Sequence, residues 1–134
     1  MTSKQSLAEK ALLRSLPQSI QANAKPQYNF CHGRGWAFDL AWPAQRIAVE
    51  VDGQGYHHST KGHRLDCEKL NVAAAMGWRV LRYPANSIGA ITKTDGLPVF
   101  RANRVRLPLI VEQITAVICD TPDIAWGSIG VLAD

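Results

Sequence analysis

Three carboxylates stand in a stretch that otherwise reads as buried strand. In FDLAWPAQRIAVEVDGQGYHH, residues 38 to 58, Asp39, Glu50 and Asp52 are set among β-branched and aromatic residues, and His57 and His58 follow directly. An ionised carboxylate in a dry core costs several kcal/mol unless a metal, a cation or hydrogen bonds compensate it. Acids on neighbouring strands can meet at one end of a sheet, and such a pair suits a hard divalent cation, which takes one or two carboxylates, backbone carbonyls and water. That is the equipment of phosphodiester hydrolysis, where a cation polarises the phosphate and lowers the pKa of water. Glu50 and Asp52 are two apart, so they share one face of an extended chain, and Val51 between them offers its carbonyl. A single acid of this kind is ordinarily a solvated or salt-bridged strand end. Three that converge, with a glycine-rich loop and histidines behind them, favour the metal.

The elements that must position these residues follow from periodicity. Residues 36–42 alternate aromatic and aliphatic side chains up to Pro43, and 46–51 form a more apolar run. WPAQR between them is hairpin length, so the two strands are expected to pair antiparallel. Residues 61–76 return to helical spacing through Leu65, Lys69, Val72 or Ala73, and Met76, with Gly77 at the C-cap. A third strand, 78–83, ends at Pro84. A first helix is expected over 2–16, capped by Thr2 or Ser3, and a last one over 109–118. Residues 17–33 read as a connection with a short strand near Tyr28 to Cys31. Residues 86–108 read as an irregular basic excursion, and 121–134 carry no assignment. The order is that of an α/β sandwich with a helix bridging two strands of one sheet.

Bulk properties agree with one globular domain spanning residues 1–134. The 46% hydrophobic and 19% charged contents are neither disordered nor fibrous values. No apolar run is long enough for a bilayer, and the amphipathic N-terminus lacks the apolar stretch of a secretory signal, so a cytoplasmic, membrane-free protein is expected. Three widely spaced cysteines, Cys31, Cys67 and Cys119, imply no disulfide framework, and buried free thiols are expected at Cys67 and Cys119. The net charge of +4 is compatible with a polyanionic partner. Arg101, Arg104 and Arg106 cluster, and Arg34 and Lys61 fall in expected loops, where they suit phosphate contacts.

FDLAWPAQRIAVEVDGQGYHH followed by DCEKLNVAAAMGWRVLRYP resembles the PD-(D/E)xK nuclease superfamily, in particular the small Vsr-like endonucleases and their phage-encoded relatives. The similarity covers about residues 36–84 and extends to LAEKALLRSL in the first helix. It implies a restriction-endonuclease-like central mixed β-sheet flanked by helices. It further implies that Asp39 is the pivotal metal ligand, Glu50 the second, Val51 a carbonyl ligand, and Glu9 a residue reaching a metal-bound water. Mg²⁺ would be the cofactor, with Mn²⁺ able to substitute. Asp52 occupies the position where many members carry lysine, so the general base or neutralising cation must come from elsewhere. His57, His58, Lys61, His63 and Lys69 are the candidates. The family's histidine after its Asp-Gly pair favours His57; Lys69, on the following helix, is its rival, and is otherwise a DNA contact.

Other residues carry less. Asp66 and Glu68 are expected in helix-surface salt bridges, and the similarity around DCEKLN raises the chance that one faces the site. Arg79 and Arg82 have odd spacing on one strand, so one can meet a carboxylate while the other meets solvent or DNA. Trp36, Trp42 and Trp78 are expected in the core, and Tyr56 could stack on a base. The histidines and cysteines lack the close spacing of a zinc site, which argues against zinc.

The expected function is therefore Mg²⁺-dependent cleavage of DNA, with branched or recombination-intermediate DNA the first choice and a homodimer implied if both strands are cut. The setting would be a bacterial or phage-infected cell. Mismatch nicking or restriction are rivals within the class. A DNA-binding module that has lost its chemistry, and a protein-interaction domain with solvated acids, are rivals outside it.

Overall fold

The computed structural model describes residues 5–53 and 60–120. In chain order the elements are α1 (Leu7–Ser15), α2 (Gln18–Asn23), β1 (Lys25–Cys31), β2 (Trp36–Trp42), β3 (Ile47–Asp52), α3 (Thr60–Ala75), β4 (Arg79–Pro84), α4 (Ala85–Ile88), β5 (Gly89–Thr94), β6 (Leu97–Ala102) and α5 (Arg106–Ile118). The chain divides into two compact units. Among the described residues, one holds Lys25–Pro84 and the other Ser6–Ala24 with residues 85–120. No helix among the described residues is long and apolar enough to cross a membrane.

The first unit is a mixed four-stranded sheet in the order β1-β2-β3-β4. β1, β2 and β3 run antiparallel in turn, and β4 lies parallel to β3 with Glu50 opposite Arg82. The parallel pair needs a crossover, and α3 supplies it. β1 is a full strand rather than the short one expected. Only Phe30 of KPQYNFC is buried, so its apolar signal is weak, and its place at the sheet edge tolerates Pro26.

Aromatic packing holds this unit together. The Phe30 and Phe38 rings stack with centroids 4.0 Å apart and planes 9° from parallel, and Trp78 packs against both. Ala41, Ala48 and Ala73 complete the cluster, with Val72 and Val80 against it. Each large side chain so buried contributes roughly 1.5–3 kcal/mol. The tryptophans are as expected: Trp42 and Trp78 are buried, and Trp36 is half-buried against the cluster.

α3 is stopped by Gly77 at φ +85°. The Trp78 N–H donates to Ala73 O at 2.9 Å and the Gly77 N–H to Ala74 O at 3.0 Å, a Schellman closure. Arg46, itself at φ +53° in the β2–β3 turn, donates from Nη1 to Met76 O at 2.6 Å and so caps the same helix end.

The second unit packs α1, α4 and α5 around Leu12, Ile88, Ile110 and Ile114. α1 begins later than the sequence suggests. Its N-cap is Ser6, whose Oγ accepts the Glu9 N–H at 3.2 Å, in a Ser-x-x-Glu arrangement. α5 begins earlier, because Asn103 Oδ1 accepts the N–H groups of Val105 and Arg106, and Pro108 in the first turn has no N–H to leave unpaired. The excursion expected over 86–108 is instead ordered as α4 and an antiparallel β5–β6 ribbon. Its turn is Asp95-Gly96, both at positive φ, the Asp-Gly pair that a tight two-residue hairpin requires.

Candidate active site

β2 and β3 pair from Trp42↔Ile47 to Leu40↔Val49. Beyond that point side chains take over from the backbone ladder. The Val51 N–H donates to Asp39 Oδ2 at 2.7 Å, and the Asp39 N–H donates to Glu50 Oε2 at 3.4 Å. Two acids on adjacent strands are thus fixed against each other by reciprocal bonds to the partner strand, each holding the other's orientation. A strand residue's N–H and C=O project from the same edge, so the Val51 carbonyl points to the side where Asp39 lies.

Lys69 completes the group. It comes from α3, where Asp66, Lys69 and Ala73 follow helical spacing on the face that meets the sheet. Its ammonium forms an ion pair with Glu50 Oε1 and donates to Ala37 O at 2.8 Å, 5.7 Å from the centre of the Phe38 ring. The Lys69 and Glu50 side chains are only 18% and 12% exposed, so this pair is largely shut off from water.

Burial pushes the Glu50 carboxyl up to about 7. The Lys69 ammonium pulls it back, and the hydrogen-bonded Asp39 carboxyl adds to the rise. Desolvation therefore outweighs the single ammonium, and the site stays short of positive charge.

Asp52 is neutralised from β4. Arg82 Nη2 lies 2.9 Å from Asp52 Oδ2, and Nη1 lies 3.0 Å from Asp66 Oδ2. Burial works against the guanidinium's charge, but the two carboxylates win and hold its pKa above the ordinary value. Arg79, at odd spacing from Arg82, is exposed.

Among the described residues no three acids, histidines or cysteines gather closely enough to hold an ion by side chains alone. A cation here would rest on the Asp39 and Glu50 carboxylates, the Val51 carbonyl and water. That is an all-oxygen set of the kind Mg²⁺ accepts, and the carboxyl raised to about 7 is the group a cation would relieve. The residues present fit the metal.

His57, His58 and Tyr56 lie outside the described residues. His63 is exposed on α3 beside Cys67, with Nε2 3.6 Å from Sγ. Cys67 and Cys119 are exposed rather than buried. Arg34 is exposed, stacks 4.2 Å from the Trp36 ring centre and pairs with Glu68 at 3.1 Å. Lys61 is exposed at the start of α3. Glu9, Arg101, Arg104 and Arg106 belong to the second unit, where Glu9 is buried, Arg106 half-buried, and Arg101 and Arg104 exposed. Arg82 as the partner of Asp52 was legible only as one of two alternatives on its strand.

No protein-family model matches this chain, and comparisons with curated proteins and with solved structures found no match.

Proposed function

We propose that the chain is a divalent-cation-dependent DNA endonuclease with a restriction-endonuclease-like arrangement of its mixed sheet. One observation carries this reading: Asp39 and Glu50, locked together where β2 and β3 part, with the Lys69 ammonium on Glu50. A structural salt bridge requires one acid; here a second acid adds repulsion, and the cost is justified if a cation is to be bound.

Asp39, Glu50 and the Val51 carbonyl would hold Mg²⁺, or Mn²⁺ in its place. When bound, the metal polarises the scissile phosphate and acidifies water. Lys69 takes the role of the lysine missing at position 52. Its positive charge, held beside Glu50 by Ala37 O, offsets negative charge that builds on the phosphate. Arg82 keeps Asp52 and Asp66 from adding to the negative field around Glu50.

Branched DNA is the proposed substrate class, a homodimer the proposed form for cutting both strands, and the cytoplasm of a bacterial or phage-infected cell the proposed setting. Labelled linear, nicked, mismatched, flapped and four-way DNAs incubated with Mg²⁺ or Mn²⁺ test this. Metal-dependent cutting, strongest on a branched form, is expected. DNA binding with no cutting of any substrate would leave the acids as a structural ion network.

A further inference from the structure

Among the described residues the β5–β6 ribbon packs only at its root, against α4 and α1. Every residue from Ala90 to Val99 is exposed, and Ile91 and Leu97 are 60% and 68% exposed. Two-stranded ribbons are marginal alone, so one that stands this open needs a firm root or a partner. The root is firm. Gly89 is buried under the Phe100 ring, where a Cβ would come within 2.4 Å of the ring and 2.5 Å of the Arg101 carbonyl. The Asn103 N–H donates to Ile88 O at 2.8 Å, and the Asn103 side chain caps α5. Both strands are thereby tied to helices at one end, and the Asp95-Gly96 turn forms the free end.

The shaft carries a specific chemistry. Lys93 and Arg101 lie on it and Arg104 just past it, against one acid, Asp95 at the tip. Arg101 lies across the strands rather than extending away. Its Nε donates to Thr92 Oγ1 at 3.1 Å and its Nη2 to Thr94 Oγ1 at 3.5 Å. One face is thus a row of guanidinium and threonine hydroxyls and methyls beside Val99 and Leu97, groups that can meet both the polar edges of bases and thymine methyls. Each strand has six residues, about 20 Å at the usual rise. Two strands side by side fit a DNA major groove, which is roughly 12 Å wide.

We propose that this ribbon is a DNA-binding arm that lies in the major groove of duplex DNA, with Arg101, Thr92 and Thr94 toward the bases and Lys93 and Arg104 toward phosphates. The inference rests on the nuclease reading above and names the surface that would grip its substrate.

Fluorescence anisotropy on a labelled duplex, with the 134-residue protein in EDTA, tests it. The proteins compared are wild type, Arg14→Ala, Lys93→Ala/Arg101→Ala, and Thr92→Val/Thr94→Val. The Lys93/Arg101 variant is expected to lose at least tenfold in affinity, with a salt dependence shallower by about one charge for the phosphate contact of Lys93. The threonine variant is expected to weaken discrimination among duplex sequences. Arg14→Ala, which removes one exposed positive charge from α1, should bind as wild type does, and unchanged far-UV circular dichroism would show the variants folded. If wild type binds DNA and the ribbon variants bind equally well with equal salt dependence, the proposal is overturned. It is also overturned if those variants alter only the oligomeric state in sedimentation, which would make the ribbon a contact between copies. Mg²⁺-dependent cutting by wild type reports on the nuclease reading separately, so a ribbon that fails beside an active wild type leaves that reading intact.

Discussion

Lys69 places its ammonium on Glu50 and on the Ala37 carbonyl from a helix 19 residues further along the chain than the acid it meets. The position two residues after Glu50, where the family resemblance leads one to look for this charge, holds Asp52. The cation beside Glu50 stands on the helix instead of the strand, and Arg82 neutralises Asp52. Function at this site would then depend on α3 being seated correctly, because the helix brings the charge.

Replacing Lys69 with alanine should lower single-turnover DNA cleavage about 100-fold or more, the usual cost of removing one group that stabilises transition-state charge. Mg²⁺ binding measured by calorimetry should survive, since Asp39 and Glu50 remain. The Glu50 carboxyl should titrate higher still, because Lys69 is what pulls it down. Cleavage that Lys69→Ala leaves untouched would confine the lysine to a packing role.

Stability should depend on pH through Glu50. Its folded pKa of about 7 lies above the ordinary 4.5. The proton is held more tightly in the folded state, so the contribution is complete below 4.5 and is lost as pH rises to about 7. Urea unfolding of the metal-free protein should therefore show lower stability at pH 8 than at pH 5 from this group, on the order of 3 kcal/mol. Glu50→Gln should flatten that dependence, and Mg²⁺ should bind more tightly as pH rises through 7, releasing a proton. A flat profile in the wild type would contradict the buried acid.

Arg82→Ala should leave Asp52 and Asp66 facing each other without their shared cation. The side chains are about one-third exposed or less, so the loss is that of a partly screened network, about 1–2 kcal/mol. Asp52→Asn should cost less, because Arg82 keeps Asp66. Denaturant midpoints for the two variants give the comparison directly.

Gly77→Ala should destabilise by about 1–2 kcal/mol, since φ +85° is strained for any residue with a Cβ. Open space would not rescue it: the nearest atom to the new Cβ, Arg46 Cδ at 3.7 Å, is at ordinary contact distance. Thermal unfolding checks this, and a neutral result would mean that the helix end readily adopts another closure.

Much of the first unit is legible in the sequence because its signals are local. The alternation in WAFDLAW, the apolar run before VEVD and the glycine after α3 place β2, β3 and α3 within a residue or so of where they fall. β1 escapes because an edge strand with one buried residue has almost no alternation. In sequence the β5–β6 ribbon looks irregular because Gly89, Gly96 and Pro98 interrupt it, although Asp95-Gly96 is itself a hairpin signal. Its exposed strands lack the apolar alternation that would have drawn attention to it. At the site, Asp39 and Glu50 stand out as acids in apolar strands. The partnership of Lys69 with Glu50 is a long-range fact of helix placement, so sequence could offer Lys69 only as one candidate among five. The Arg82 bridge has the same origin, because only the parallel register sets Arg82 opposite Glu50.

The most direct measurement is Mg²⁺-dependent cleavage of a labelled four-way DNA by wild type, Asp39→Ala and Glu50→Ala side by side. We expect wild type to cut only with Mg²⁺ or Mn²⁺ present, and both substitutions to abolish cutting while the proteins stay folded and bound to DNA. Cutting that persists in either variant, or that proceeds in EDTA, would contradict the assignment of Asp39 and Glu50 as the metal-holding pair.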